Sequence, residues 1–488
     1  MPRGSREYRV LDKDLERLNN AEYAALAQAR PRVRLGIALV FVATAAEIAA
    51  TLIAGQPALG IVAGAVAIAV YMALSIGAND VANALSPAVG AGAIRLGLGL
   101  WLVAGMEILG AVIAGAAVTS TLTGGLVAQA GIQTGGMQGG GIHGGGQAMA
   151  LVMLAALTSA ATTISLATWL DAPISTTHAL VGAITGAGMT AFGVDAVNWS
   201  GLALVAVGWV VSPLVSGCLA AALLSIVQSR VLDRADPVRE GGLWLTVIVG
   251  LVAAMLFGVA ARAFAGLGTG AVLGLAAGGG LLGGLYADAR QRAQIARQID
   301  GRKAVKRLLG VPLVFAAMVM GFAHGANDVS NIAAPLTVIL KALPQDAEGA
   351  LPVPPRAILA IAGLGIGMGM LLFGGRLVMM VGSSITRLNP ARGLCVTLAA
   401  AMTVLGFSVF GMPVSTTHIA VGGVFGVGFY REWHDRRMAK ARPALPGEEV
   451  HRRHLVRRSY LRTILGAWLV TVPLNALLSA ALVWLLRI

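Results

Sequence analysis

The stretches SIGANDVANALSP (75–87) and AHGANDVSNIAAP (323–335) each place a carboxylate inside a long apolar run. Between Pro57 and Ile94 the single formal charge is Asp80. Asn79 and Asn83 flank it, and the pattern G-A-N-D-V-x-N returns 248 residues later as Asn327, Asp328 and Asn331. An ionised Asp at the centre of a membrane helix costs about 2.5–3.5 kcal/mol on insertion scales. Two such acids at repeated positions need a compensating partner, which a bound cation or a proton would supply. Asp80, Asn83, Asp328 and Asn331 are therefore the candidate cation-binding residues, with Na+ at Asp80 and Asp328 as one form of that reading. Gly77-Ala78 and Gly325-Ala326 lower helix propensity, so each helix is expected to break here and free carbonyls for the cation. The competing reading is an Asn-Asp pair that only caps a broken helix or bridges two helices.

A second duplicated motif follows each of these. APISTTHALVGAITGAG (172–188) matches MPVSTTHIAVGGVFGVG (412–428). Pro followed by Ser and Thr reads as a helix start, since Pro suits the first turn and hydroxyls suit the N-cap. A helix N-terminus offers free N–H groups and the positive end of the dipole, and three hydroxyls add donors. Ser175, Thr176, Thr177, Ser415, Thr416 and Thr417 thus suit a tetrahedral oxyanion such as phosphate, with no Arg or Lys to hinder its release. Plain capping, each hydroxyl bonded to its own backbone, is the alternative. His178 and His418 would relay protons, touch the anion or orient the groups behind it.

Further polar residues lie in apolar runs. Glu47 and Glu107 are single acids that would carry protons or pair with a neighbour, and Arg376 either snorkels or pairs. His324 has no counterpart, because Ile76 occupies its place in the first copy. Thr119-Ser120 and Ser383-Ser384 form a further candidate pair of matched hydroxyls along the path. Cys218 and Cys395 lack metal-ligand spacing and are expected to be inert buried thiols.

The elements that must position these residues are membrane helices. The 488 residues are 57% hydrophobic and 12% charged, with mean hydropathy +0.79. Soluble domains carry about a quarter charged residues, and a spanning helix needs roughly 20 apolar ones. Apolar runs cover about 35–53, 57–94, 96–117, 148–193, 200–228, 242–265, 267–286, 311–340, 357–382, 393–429 and 461–486. The net charge of +14 is clustered: eight basic residues in 1–34, seven in 287–310 and nine in 430–460. Such clusters read as cytoplasmic loops. They lack interleaved aromatics or a recognition module, which argues against nucleic acid. Residues 1–34 mix acids and bases and do not form a signal peptide; a solvated, partly helical segment is expected there. GGMQGGGIHGGGQ (135–147) is too rich in glycine to pack and should be a mobile loop.

With those three basic clusters inside, parity gives four domains. They are a cytoplasmic segment (1–34), a first repeat with an extra leading span (35–228), a linker with two spans and a basic loop (229–310), and a second repeat (311–488). If 148–193 and 393–429 are hairpins that return to the side they entered, the first GAND run goes inward and the second outward. The fold class is then an all-α polytopic membrane protein of two inverted repeats, each with a broken GAND helix and a P-x-STTH hairpin. This is an architecture of secondary transporters. The N-terminus would be cytoplasmic and the C-terminus outside the cell membrane. The weaker match of GWVVSPLVSGCLAAALL (208–224) to AWLVTVPLNALLSAALV (467–483) extends the repeat. At 37 residues the second hairpin allows arms of about 18, roughly 27 Å each and barely a span, so re-entrant half-helices are one option there. The first hairpin is long enough for two full spans, and parity separates neither case.

These motifs resemble the inorganic phosphate transporter (PiT) family, with its duplicated GANDVANA-type motifs and P-x-STTH hairpins, over about residues 57–486. SSITRLNPARG and STTHIAVGGVFGVGF are close to the family's second half. The resemblance implies that Asn79, Asp80, Asn327 and Asp328 bind cation and phosphate, with the Ser/Thr triplets on the anion. It implies Na+ or H+ as coupling ion, no other cofactor, and a homodimer in membrane lipid. The expected function is cation-coupled phosphate symport, not an enzyme. A sulfate permease of the same fold is the alternative. An anion channel or non-transporting receptor is another class, and a channel needs no paired cation sites.

Overall fold

The computed structural model describes residues 31–52, 59–125, 145–234, 236–263, 267–295, 301–342, 353–384, 389–439 and 458–486. The expectations for residues 1–30 of the N-terminal segment and for most of the glycine-rich loop lie outside them.

Among the described residues the regular structure is helical. The α-helices, in order, are α1 (Pro31–Leu52), α2 (Leu59–Gly90), α3 (Leu96–Ala114), α4 (Ala116–Gly125), α5 (Gly145–Trp169), α6 (Thr176–Phe192), α7 (Trp199–Val227), α8 (Pro237–Ala263) and α9 (Thr269–Ile295). They continue with α10 (Gly301–Asp328), α11 (Ser330–Ala342), α12 (Pro355–Ser384), α13 (Pro390–Val409), α14 (Thr416–Ala439) and α15 (Arg458–Leu485). Among the described residues, ten helical segments are long and apolar enough to cross a membrane. The protein is an all-α multi-pass membrane protein.

Each expected apolar run contains one of these helices or a pair. The hairpin 393–429 is α13 and α14, of 20 and 24 residues. These are longer than the arms expected from the apolar count, because the helices continue past the apolar run into polar residues such as Arg436 and Arg437.

The packing interleaves the two halves. The first GAND helix, α2, packs along α12 from the second half, and the second GAND helix, α10, packs along α3 from the first. Likewise α6 packs on α15, and α14 on α7. Each half therefore completes its core with helices from the other. The core is the two GAND helices and the hairpins, whereas α1, α8 and α9 lie at the periphery and leave most of their surface outward.

This packing explains the GAND glycines differently from the sequence reading. The helix α2 runs unbroken through Gly77, Ala78, Asn79 and Asp80. A Cβ on Gly77 would lie 1.9 Å from the carbonyl O of Ile366 on α12, and one on Gly325 would lie 2.0 Å from the carbonyl O of Glu107 on α3. These glycines let two backbones touch, the usual service of small residues in membrane helices. The expected break in each GAND helix is thus corrected for the first copy. In the second copy a one-residue interruption at Val329 separates α10 from α11, after the Asp and not at the glycine.

The same contacts fix how α3 and α12 correspond. Gly110 of α3 faces the carbonyl O of Phe322, and Gly369 of α12 faces that of Leu74. Leu74 and Phe322 occupy matching places in the GAND repeat. Gly110 therefore matches Gly369, and on that register Thr119-Ser120 falls opposite Val378-Met379. This corrects the pairing with Ser383-Ser384, whose side chains lie outside the described ones. Cys395 is buried, but Cys218 is exposed on the outward face of α7, which corrects the expectation of two buried thiols.

Candidate functional site: a shared ion and anion centre

The motif residues converge on the two hairpin breaks. In the first, α5 ends at Trp169 and α6 begins at Thr176; in the second, α13 ends at Val409 and α14 begins at Thr416. Ser175 Oγ accepts from the N–H of His178 at 3.2 Å, and Ser415 Oγ accepts from that of His418 at 3.3 Å. Both serines are N-caps, the capping role that sequence alone left open against phosphate binding.

The GAND asparagines hold these breaks in place. Asn79 Nδ2 donates to Thr168 Oγ1 (2.9 Å) and to the carbonyl O of Ala172 (3.2 Å), and its Oδ1 accepts from Ile174 N (3.4 Å). Asn327 repeats this: Nδ2 donates to Ser408 Oγ (3.0 Å) and Met412 O (3.3 Å), and Oδ1 accepts from Val414 N (3.3 Å). Each amide thus stands in for the neighbouring strand that irregular backbone lacks inside a membrane. Both ends of each asparagine are engaged by its own hairpin.

The aspartates, by contrast, reach across to the other half. Thr417 Oγ1 lies 3.1 Å from Asp80 Oδ1 and 3.3 Å from the carbonyl O of Ile174, either of which it can donate to. Asn83 Nδ2 donates to Asp80 Oδ1 (3.1 Å) and Thr417 Oγ1 (2.9 Å). In the mirror cluster Thr177 Oγ1 lies 3.4 Å from Asp328 Oδ1 and 3.2 Å from Val414 O. Asn331 Nδ2 donates to Asp328 Oδ1 (3.1 Å) and Thr177 Oγ1 (3.4 Å). Thr416 Oγ1 adds a bond to Asp328 Oδ2 at 3.1 Å. Each cluster therefore gathers a carboxylate, an amide, a hydroxyl and a backbone carbonyl in a buried setting. The carboxylate, hydroxyl and carbonyl oxygens are hard donors of the kind monovalent cations take, while Asn83 and Asn331 turn Nδ2 toward them and hold them together.

Because each hairpin threonine meets the tip carbonyl of the other hairpin, the N-termini of α6 and α14 face each other. Two positive dipole ends meet where Thr176 and Thr416 begin their helices. The centre so formed favours an anion, offset by the two aspartates.

Sequence reasoning missed His324 as a member of this centre. Its Nε2 lies 2.7 Å from Asp328 Oδ2 and 3.6 Å from Asp80 Oδ2, and its Nδ1 bonds Glu107 Oε1. All four side chains are buried. The signal was present: His324 precedes Asp328 by four residues, so both share a helix face. It was passed over because Ile76 breaks the repeat. One ligand atom each from Asp80, His324 and Asp328 lies within 4.8 Å of the others, close enough for the trio to hold an ion. Glu107 is the neighbour-paired acid of the two alternatives, and Glu47 is exposed on α1.

The hairpin histidines meet each other. The rings of His178 and His418 are 4.5 Å apart between centroids, and His178 lies 3.8 Å from Trp209. This aromatic group backs the two helix starts. Arg376 pairs with Asp171 at the first hairpin tip, 2.5 Å apart.

A family model described as "Phosphate transporter family" matches residues 76–479. The chain is 34% identical to a Helicobacter pylori (strain J99) protein named "Putative phosphate permease", over 96% of this chain and 98% of that one. It is 32% identical to "Inorganic phosphate transporter 2-1, chloroplastic" of Arabidopsis thaliana, over 85% of this chain and 70% of the relative. A solved structure titled "The sodium-dependent phosphate transporter" superposes with a TM-score of 0.76 at 29% identity, covering 88% of this chain and 99% of that one. The family members are transporters and not enzymes. With its two GAND motifs and two P-x-STTH motifs inside the matched region, the chain belongs to the phosphate transporter family.

Proposed function

We propose that this protein carries inorganic phosphate across the membrane together with a cation, Na+ or H+. The observation that supports this reading is the duplicated cluster: Asp80, Asn83 and Thr417 on one side, Asp328, Asn331 and Thr177 on the other. Each cluster joins a GAND helix to the opposite hairpin. Filling it with a cation would tie the hairpins to the helices and neutralise the carboxylate. The anion would then meet two helix N-termini without facing bare aspartates, so cation and anion would favour each other's binding. Phosphate would lie against the first-turn N–H groups of α6 and α14 and the hydroxyls of Thr176 and Thr416. Asn79 and Asn327 would position the hairpins, and Ser175 and Ser415 would cap them. The solved sodium-dependent phosphate transporter favours Na+ as the coupling ion.

Purified protein in liposomes, given inward Na+ or H+ gradients separately, tests this. Gradient-driven accumulation of radiolabelled phosphate is the expected result, lost in Asp80→Asn and Asp328→Asn. Flux that only dissipates a phosphate gradient and ignores both cations would overturn coupling in favour of a channel. Preferential accumulation of sulfate would overturn the substrate.

A further inference from the structure

The two hairpin tips are built on one plan but fastened differently. Asp171 in the first and Gly411 in the second occupy matching positions, and both have positive φ, 55° and 69°. On the register set by Gly110 and Gly369, Arg376 of α12 matches Ala117 of α4. The two pairs touch in both halves. In the second, a Cβ on Gly411 would lie 3.2 Å from the carbonyl O of Ala117 and 2.7 Å from Thr121 Oγ1. Glycine is what the positive φ favours, and the tip is pressed directly onto the α4 backbone. In the first half the same contact is an ion pair between Asp171 Oδ2 and Arg376 Nη2, its side chains 28% and 71% exposed. An Asp takes up a conformation that glycine adopts more easily, and its carboxylate reaches the one cation that α12 carries between Arg356 and Ser384.

The consequence lies in what each fastening allows. Backbone pressed on backbone separates only if a helix moves. A partly exposed ion pair can open and close by side-chain rotation, with no helix having to move. Asp171 is also one residue from Ala172 and three from Ile174, the tip residues that Asn79 holds. Opening the pair would leave Asn79 and the Thr417 contact to the Ile174 carbonyl as the tethers of the tip.

We propose that Asp171 and Arg376 form a gate latch: the first hairpin is the one that opens to release phosphate from the centre, and the second stays fixed. The proposal rests on the transport reading above. The latch is a positioning device; neither side chain belongs to the ion and anion centre.

The test uses the full chain in liposomes with equal phosphate and salt on both sides, and follows exchange of radiolabelled phosphate. Arg376→Gln removes the charge from α12. Asp171→Gly removes the carboxylate and keeps a residue suited to positive φ. Each is expected to raise the exchange rate at least threefold, with no further rise in the double variant. Raising ionic strength should accelerate the wild type, because salt screens the pair, and should leave both variants unmoved. In parallel, hydrogen–deuterium exchange of the detergent-solubilised protein should quicken at 170–175 in Arg376→Gln and stay unchanged at 410–415. Unchanged or slower phosphate exchange in both variants overturns the latch, as does equal loosening of both tips or of neither. A wild type that exchanges no phosphate would instead reject the transport reading, and the deuterium arm still decides whether the first tip is latched.

Discussion

Thr417 and Asp80 lie 337 residues apart in the chain and 3.1 Å apart in the fold. Thr177 and Asp328 form the reciprocal contact at 3.4 Å. Each aspartate is thus reached by a threonine of the opposite half's hairpin, Asp328 also by Thr416 of its own, while Asn79 and Asn327 each hold the hairpin of their own half. The pairing makes the two clusters dependent on one another, because moving either hairpin opens the other half's cation set.

That dependence predicts the effect of Thr417→Val. The hydroxyl bonds a buried carboxylate, a contact worth about 1.5–3 kcal/mol. If it also serves the cation, at least this much cation affinity is at stake, tenfold or more. The cation concentration giving half-maximal phosphate binding should rise by about that factor in Thr417→Val and in Thr177→Val. Titrations of both purified variants, with binding followed calorimetrically, check it. A curve superimposable on the wild type in both would remove the hydroxyls from the cation set.

His324 yields a second prediction. Its imidazole lies among Asp80, Asp328 and Glu107, so removing it leaves three buried carboxyl groups facing one another. Breaking a buried pair by deleting one partner costs about 3–5 kcal/mol. His324→Gln should therefore melt well below the wild type in choline salt. Sodium should restore more stability to this variant than it adds to the wild type, since a cation can take over the work of the imidazole. Thermal melts in matched sodium and choline buffers decide the matter; equal sodium effects on the two proteins would show that no ion reaches this position.

The duplicated motifs were legible in the sequence because repetition itself marks them. Their partners were not. That α12 lies along α2, and α3 along α10, depends on how two halves interleave, and apolar runs carry no record of that. Thr417 against Asp80 follows from this interleaving. His324 was hidden for a different reason: judging residues by whether they repeat discards the one that breaks the repeat. Gly77 was misread because glycine has two uses, lowering helix propensity and admitting a neighbouring backbone, and only the position of Ile366 decides between them. The serines and threonines of the P-x-STTH motifs could not be sorted from sequence either, since all three hydroxyls flank the helix start and their directions are set by the tip.

The glycine assignment is open to a direct check. A methyl group on Gly77 would require α2 and α12 to separate, and one on Gly325 would do the same to α10 and α3. Overpacking of this kind costs about 1–3 kcal/mol. Gly77→Ala and Gly325→Ala should each lower the melting temperature, even though alanine is the better helix former. Gly105→Ala, on α3 with open space where its Cβ would lie, should hold or raise it. A stabilised Gly77→Ala would favour a flexible role for the glycine instead.

The last prediction separates the caps from the anion ligands. Ser175 accepts the N–H of His178, and its removal should cost the α6 start about 0.5–2 kcal/mol, the usual worth of an N-cap. Thr416, one residue inside α14, has its hydroxyl on Asp328 Oδ2 and its helix start turned toward the opposite hairpin. Ser175→Ala should therefore lower the melting temperature and keep phosphate affinity per folded molecule within about twofold, less than 0.5 kcal/mol. Thr416→Val should do the reverse, weakening phosphate binding by about 1.5–3 kcal/mol if its hydroxyl turns from Asp328 to the anion once a cation occupies the cluster. The two quantities must be measured on the same preparations, in saturating sodium, so that loss of fold is not counted as loss of affinity. If Thr416→Val and Thr176→Val both bind phosphate as the wild type does, the anion is held by the backbone N–H groups of the two helix starts alone.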